Sequence, residues 1–220
     1  MGKLKKTTFI CGRYGSGKTT VALNLAFMLS ESGTEVGLVD LDVVNPYFRS
    51  SDLADRIEYH SIKLFAPKAN DTVIIDDELL PNAVSQMKDE SSFVVVDVGA
   101  DEEGFEAMRH LSSTIDKSAC DVLYVVNFSK TATDTSQKAF DDASAFCRET
   151  GFEFTGIINN TQAGGEADQA MIDESIVKSD LLSKLLKVPV VYHCYNKNVN
   201  LTVPECGMPI EIYVTPSWLE

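Results

Sequence analysis

The stretch FICGRYGSGKTTVALNLA, Phe9 to Ala26, constrains this chain more than any other feature. Gly12, Gly17, Lys18 and Thr19 fill the pattern G-x-x-x-x-G-K-[ST]. In a loop of that pattern, backbone N–H groups wrap a phosphate, the lysine reaches the β- and γ-phosphates, and the hydroxyl serves Mg²⁺. Such a loop belongs between a strand and a helix, and the flanks supply both. TTFIC, Thr7–Cys11, reads as a short buried strand. Thr20–Ser32 reads as a helix, with Val21, Leu25 and Leu29 one turn apart and Gly33 at its end. The helix start adds its dipole to the phosphate site. The expected nucleotide-binding residues here are Gly12, Arg13, Tyr14, Gly15, Ser16, Gly17, Lys18, Thr19 and Thr20.

The rest of the chain repeats the alternation. Further strands are expected at Val36–Asp40, Ile62–Phe65, Phe93–Asp97, Val122–Asn127, Phe154–Asn159 and Val188–Tyr192. Several are nearly unbroken Val, Ile and Leu, as in a parallel sheet covered on both faces. Further helices are expected at Pro81–Lys88, Gly104–Ile115, Asp134–Thr150 and Ser175–Lys187. This order predicts a doubly wound α/β fold with a mostly parallel sheet and helices on both faces. Nothing in the sequence divides the chain, so residues 1–220 are expected to form a single P-loop nucleotide-binding domain.

Composition narrows the function. The net charge of −14 and the lack of any basic cluster beyond Lys3, Lys5 and Lys6 count against nucleic acid as a direct partner. No 18-residue apolar span is present, and the C-terminal IEIYVTPSWLE is not a basic amphipathic helix, so no membrane contact is expected. The apolar run behind the basic MGKLKK is too short for a signal peptide, and Gly2 lacks the context for lipidation. These features point to the cytoplasm. Cys11, Cys120, Cys147, Cys194 and Cys206 are odd in number and hold no C-x-x-C pair, which disfavours a zinc site, an iron–sulfur site and a disulfide framework.

Ligands bind at the carboxyl ends of the strands in such sheets, and carboxylates cluster there. Asp97 closes FVVV and either holds Mg²⁺ or caps a helix. Asp40 and Asp42 end the second strand at alternate positions, which face the same way. They either orient water and contact the metal's hydration shell or serve as solvated turn residues. Asn160 carries an amide able to read a base edge, in an Asn-Asn pair that is also a common turn. The segment NPYFRSSD, with Tyr47, Phe48 and Arg49, is either a switch loop or ordinary aromatic packing.

Together these residues resemble the MinD/ParA/Mrp class of P-loop ATPases, with their deviant phosphate loop. The family loop reads roughly G-K-G-G-x-G-K-[ST], against GRYGSGKT here. DLD resembles the D-x-D after the family's second strand, and Pro46 stands where the Mrp-like branch has proline. VVVDVGA resembles the strand that ends in aspartate, and GIINN the base-contacting strand. CGMPIEIY resembles, more distantly, the Gly-x-Pro near the last helix. The resemblance implies ATP and Mg²⁺ as cofactors. It gives Lys18 and Thr19 to phosphate and metal, Asp97 and Asp40 to the metal and its shell, Asp42 to the attacking water and Asn160 to adenine. It also implies an ATP-dependent homodimer in which the loop's first basic residue, here Arg13, reaches the partner's nucleotide as a catalytic charge. Tyr14 departs from the family, because it replaces a glycine where two backbones approach.

The function expected is slow Mg-dependent ATP hydrolysis, with the nucleotide state controlling a protein partner. Two alternatives share the motifs. One is a kinase or synthetase of the dethiobiotin or cobyrinic acid amidating type. The other is a non-hydrolysing regulatory module. Guanine selectivity is disfavoured, since no Asn/Thr-Lys-x-Asp stretch follows a late strand, and NKNVN, Asn196–Asn200, lacks the aspartate.

Overall fold

A computed structural model describes residues 4–42, 51–66, 79–89, 91–161, 168–198, 202 and 204–213. The segment Asn45–Arg49, read either as a switch loop or as aromatic packing, lies outside the described residues, Pro46 included. The described elements run β1 (Thr7–Cys11), α1 (Lys18–Glu31), β2 (Val36–Leu41), α2 (Ser51–Tyr59), β3 (Lys63–Phe65), α3 (Leu79–Met87), β4 (Phe93–Val98), α4 (Glu102–Ser112), β5 (Cys120–Val126), α5 (Ser136–Thr150), β6 (Gly156–Asn159), α6 (Gln169–Leu186), β7 (Val190–Asn196) and β8 (Gly207–Ile210).

The strands form one eight-stranded sheet in the order β3-β2-β4-β1-β5-β6-β7-β8, and every pair is parallel. The expected doubly wound fold is therefore present, and its sheet is wholly rather than mostly parallel. Alternate residues of each central strand feed two cores. Phe9, Cys11, Val94, Val96, Val98, Val122 and Tyr124 pack against α3 to α6. Ile10, Leu38, Val95, Leu123 and Val125 pack against α1 and α2. Parity then places Asp97, two residues beyond Val95, on the α1 side of the sheet.

Two elements were not expected from the sequence. The first is α2, which buries only Leu53 and Ile57 among its described side chains, too few for a clear period. The other, β8, contains Pro209 and sits at the sheet's edge, where a missing N–H costs no ladder bond. The CGMPIEIY segment, expected near a last helix, thus supplies an edge strand. Helix starts also lie earlier than the apolar pattern suggested. Asp101 and Asp168 cap α4 and α6 by accepting from Gly104 N and Met171 N, which sets their first turns in polar sequence.

Candidate nucleotide and metal site

The phosphate loop joins β1 to α1 and is built on three glycines with positive φ: Gly12 at 152°, Gly15 at 77° and Gly17 at 88°. Two of them are also sterically enforced. A Cβ on Gly12 would collide with the Val125 carbonyl oxygen of β5, and one on Gly17 with the Asn160 amide. Gly17 stands at the N-cap of α1 and offers no side-chain cap. The α4, α5 and α6 starts, by contrast, are each capped by a side chain, from Asp101, Thr135 and Asp168. The first N–H groups of α1 are therefore left for an anion, at the positive end of the helix dipole.

The chemistry-bearing side chains converge at this point. Lys18 is buried, with Nζ 3.5 Å from the Arg13 carbonyl oxygen, a long contact that leaves the ammonium available to a stronger acceptor. The Thr19 hydroxyl donates to Asp97 Oδ2 at 2.6 Å. The Asp42 N–H donates to Asp40 Oδ1 at 2.8 Å, and both aspartates are buried. Asn160 lies beneath the loop and donates from Nδ2 to the Ser16 carbonyl oxygen at 2.8 Å. One of its two amide N–H donors thus holds the loop. Thr20 is the third residue of α1, and its carbonyl oxygen accepts from Asn24 one turn on.

Burial pushes the Asp97 carboxyl up to about 7, against the opposing pull of the Lys18 ammonium and the Thr19 hydroxyl, with Asp42 adding to the rise. Asp97 Oδ1, Ser16 Oγ and Asn160 Oδ1 are buried without a hydrogen-bond partner among the described residues. Buried polar atoms seldom go unpaired, so three around one loop mark a place for a ligand. A hydroxyl and a carboxylate side by side make an oxygen donor set, which suits Mg²⁺ completed by phosphate and water. The residues present therefore fit the ion that the motif implies, with Thr19 and Asp97 as its protein ligands.

The loop's two unusual residues part company. Arg13 turns toward α5, where Nη1 meets Asp142 Oδ1 at 2.9 Å. Asp142 Oδ2 also accepts from the buried Tyr124 hydroxyl at 2.8 Å. Tyr14 stands 61% exposed at the loop's tip. Neither Asp142 nor Lys130, whose Cε lies beside Gly15, was found from the sequence. Lys130 follows β5, and the rule that ligands gather at strand ends would have pointed to it. The signal for Asp142 does not exist locally, since 129 positions separate it from Arg13.

Comparison with known proteins agrees with this geometry. The signal recognition particle 54 kDa protein of Methanopyrus kandleri is 31% identical over 153 residues, which make up 68% of this chain and 31% of that protein. The chain thus spans about a third of the length of this curated relative. FtsY from Mycoplasma mycoides superposes with a TM-score of 0.61 at 19% identity, over 89% of this chain and 62% of that one. The 54 kDa protein of Aeropyrum pernix K1, solved in complex with GDP, gives 0.58 at 18% identity, over 90% and 43%. These likenesses concern the fold. The sequence model of the ParA family, described as NUBPL iron-transfer P-loop NTPase, matches residues 4–185. That match takes in the phosphate loop, Asp97, Asn160 and six of the eight strands, β1 to β6, so the chain belongs to the ParA family and is a nucleotide-binding P-loop NTPase.

Proposed function

We propose that the protein binds Mg·ATP, hydrolyses it slowly and uses the nucleotide state to control a protein partner. The observation that carries this reading is the Thr19–Asp97 pair beside buried Lys18, under an uncapped helix start. Lys18 offsets charge on the β/γ-phosphates, and the loop N–H groups fix their position. Asp42, at the carboxyl end of β2, orients the attacking water, and Asn160 keeps the loop in shape. Thr19 and Asp97 would hold Mg²⁺, which when bound would supply positive charge against the phosphates. Catalysis of this type is positioning plus electrostatics and gives slow turnover when no partner completes the site.

Adenine is favoured by the lack of an Asn/Thr-Lys-x-Asp stretch. The GDP of the Aeropyrum protein belongs to that protein. Iron transfer is disfavoured, because the cysteines offer no C-x-x-C pair and Cys11, Cys120 and Cys194 are buried. Tyr14, exposed at the loop's tip, supports a protein partner that meets the nucleotide face.

Calorimetric titration with non-hydrolysable ATP and GTP analogues tests the reading. Wild type is expected to bind the ATP analogue with Mg²⁺ and to prefer it to the GTP analogue. Lys18→Ala is expected to lose at least tenfold in affinity, as about 1.5–3 kcal/mol for a charge-assisted bond implies. Equal affinity in the variant would overturn the site. A preference for the GTP analogue would overturn the adenine assignment alone.

A further inference from the structure

Helix α6 buries one face on the sheet and leaves another uncovered among the described residues. Ile172, Ser175, Ser179 and Leu182 are buried. Val177, Leu181 and Leu185 recur at every fourth position on the outer side and are 59%, 49% and 41% exposed. Residues four apart stack on one side of a helix, so these three make a continuous apolar stripe. Apolar residues scattered singly over a surface are ordinary, whereas a stripe marks a contact.

The charges along the same face are ordered. Asp173 and Glu174 are exposed toward the start of the helix and Lys184 in its last turn, with Lys178 between them paired to Glu174 at 2.8 Å. The helix dipole accounts for acid at the start and base at the end. It does not account for the apolar stripe between them.

We propose that this face docks on the same face of a second copy of the chain, with the two α6 helices antiparallel about a two-fold axis at the level of Ser179. In that register Val177 lies across from the partner's Leu181. Glu174 lies across from the partner's Lys184, and Lys178 across from the partner's Asp180. A parallel pairing would set acid against acid. The antiparallel one sets acid against base at both ends, a complementarity that one copy offers another by symmetry and that a foreign protein would have to match by chance.

An 18-residue helix is about 27 Å long. One helix pair covers less than the roughly 1,600 Å² of a standard interface, so the association is weak and concentration-dependent. The stripe lies on the face of the sheet away from α1. This association therefore needs no nucleotide and is distinct from a dimer formed at the phosphate loop.

Sedimentation velocity on the full chain without nucleotide, from about 10 to about 500 micromolar at moderate salt, tests the proposal. A concentration-dependent dimer is expected. Leu181→Asp is expected to weaken it at least tenfold, and Glu174→Lys and Lys184→Glu each to weaken it severalfold. The double reversal is expected to recover most of the loss. All three positions are exposed, and circular dichroism checks that each variant keeps its fold. A wild type that stays monomeric throughout overturns the proposal and leaves the stripe to another protein or to residues 214–220. A dimer indifferent to Leu181→Asp, a dimer that forms only with ATP, or a double reversal no better than the single ones overturns it as well.

Discussion

Burial holds the Asp97 carboxyl at about 7, so in the folded chain it keeps a proton that the unfolded chain releases near 3.8. A carboxyl raised in this way contributes most to stability below the unfolded value, and that contribution is lost as pH rises through about 7. By pH 8 the cost reaches roughly 4 kcal/mol. Asp97→Asn is therefore expected to raise the melting temperature of the nucleotide-free protein at pH 8, to raise it less at pH 5, and to abolish the Mg²⁺ dependence of nucleotide binding. Calorimetric scans at the two pH values check this, and a variant no more stable than wild type at pH 8 would mean that the carboxylate is already well paired. The same residue was legible in the sequence, because an aspartate that closes an apolar strand beside a phosphate loop has few other uses. The role of Asn160 under the loop was less so. That depends on its contact with Ser16, 144 positions away, and on Gly17 leaving room for the amide.

At the scale of elements, β8 is tied to the phosphate-loop helix by one side chain. Asn24 of α1 donates from Nδ2 to the Thr20 and Glu211 carbonyl oxygens at 2.8 Å each, and its Oδ1 accepts from Glu211 N at 2.9 Å. The amide thus mimics one more ladder pair just past the last strand. Tyr213 adds an edge-on contact with Phe27, with ring centres 4.9 Å apart. Asn24→Leu is expected to cost about 2 kcal/mol, since it leaves two backbone groups of Glu211 without their partners. The melting temperature should fall by about 5 °C, and amide exchange at Glu211 should accelerate. Unchanged exchange there would show that β8 is held by its ladder to β7 alone. The central strands were readable as Val- and Ile-rich runs. The edge was not, because β8 is short, carries a proline and draws its support from side chains far away in sequence.

For the whole molecule, the net charge of −14 opposes any self-association at low salt. The nucleotide-dependent contact implied by the ParA likeness must also accommodate Tyr14, and Arg13 must leave Asp142 if it is to reach across. ATP is therefore expected to promote only weak association through the loop face, and Tyr14→Gly to strengthen it. Light scattering with a non-hydrolysable analogue, on a Leu181→Asp background that removes the α6 contact, checks the expectation. Should the glycine variant stay monomeric with nucleotide, Arg13 serves its own chain through Asp142 and Tyr124 rather than a second subunit.

The strand order has a bearing on how the protein is made. β1 pairs only with β4 and β5, so Thr7 meets Val94 and Cys120, and the loop that follows rests on Val125 and Asn160. β1 is thus made before either of its neighbours and stays unpaired until β4 and β5 have followed. At about 5–20 residues per second it waits on the order of 10 s for its neighbours. Until then a bare apolar strand and a glycine-rich loop have nothing to lie against, and nucleotide has no shaped site to enter. Nucleotide binding in this protein reports that the middle of the sheet has closed.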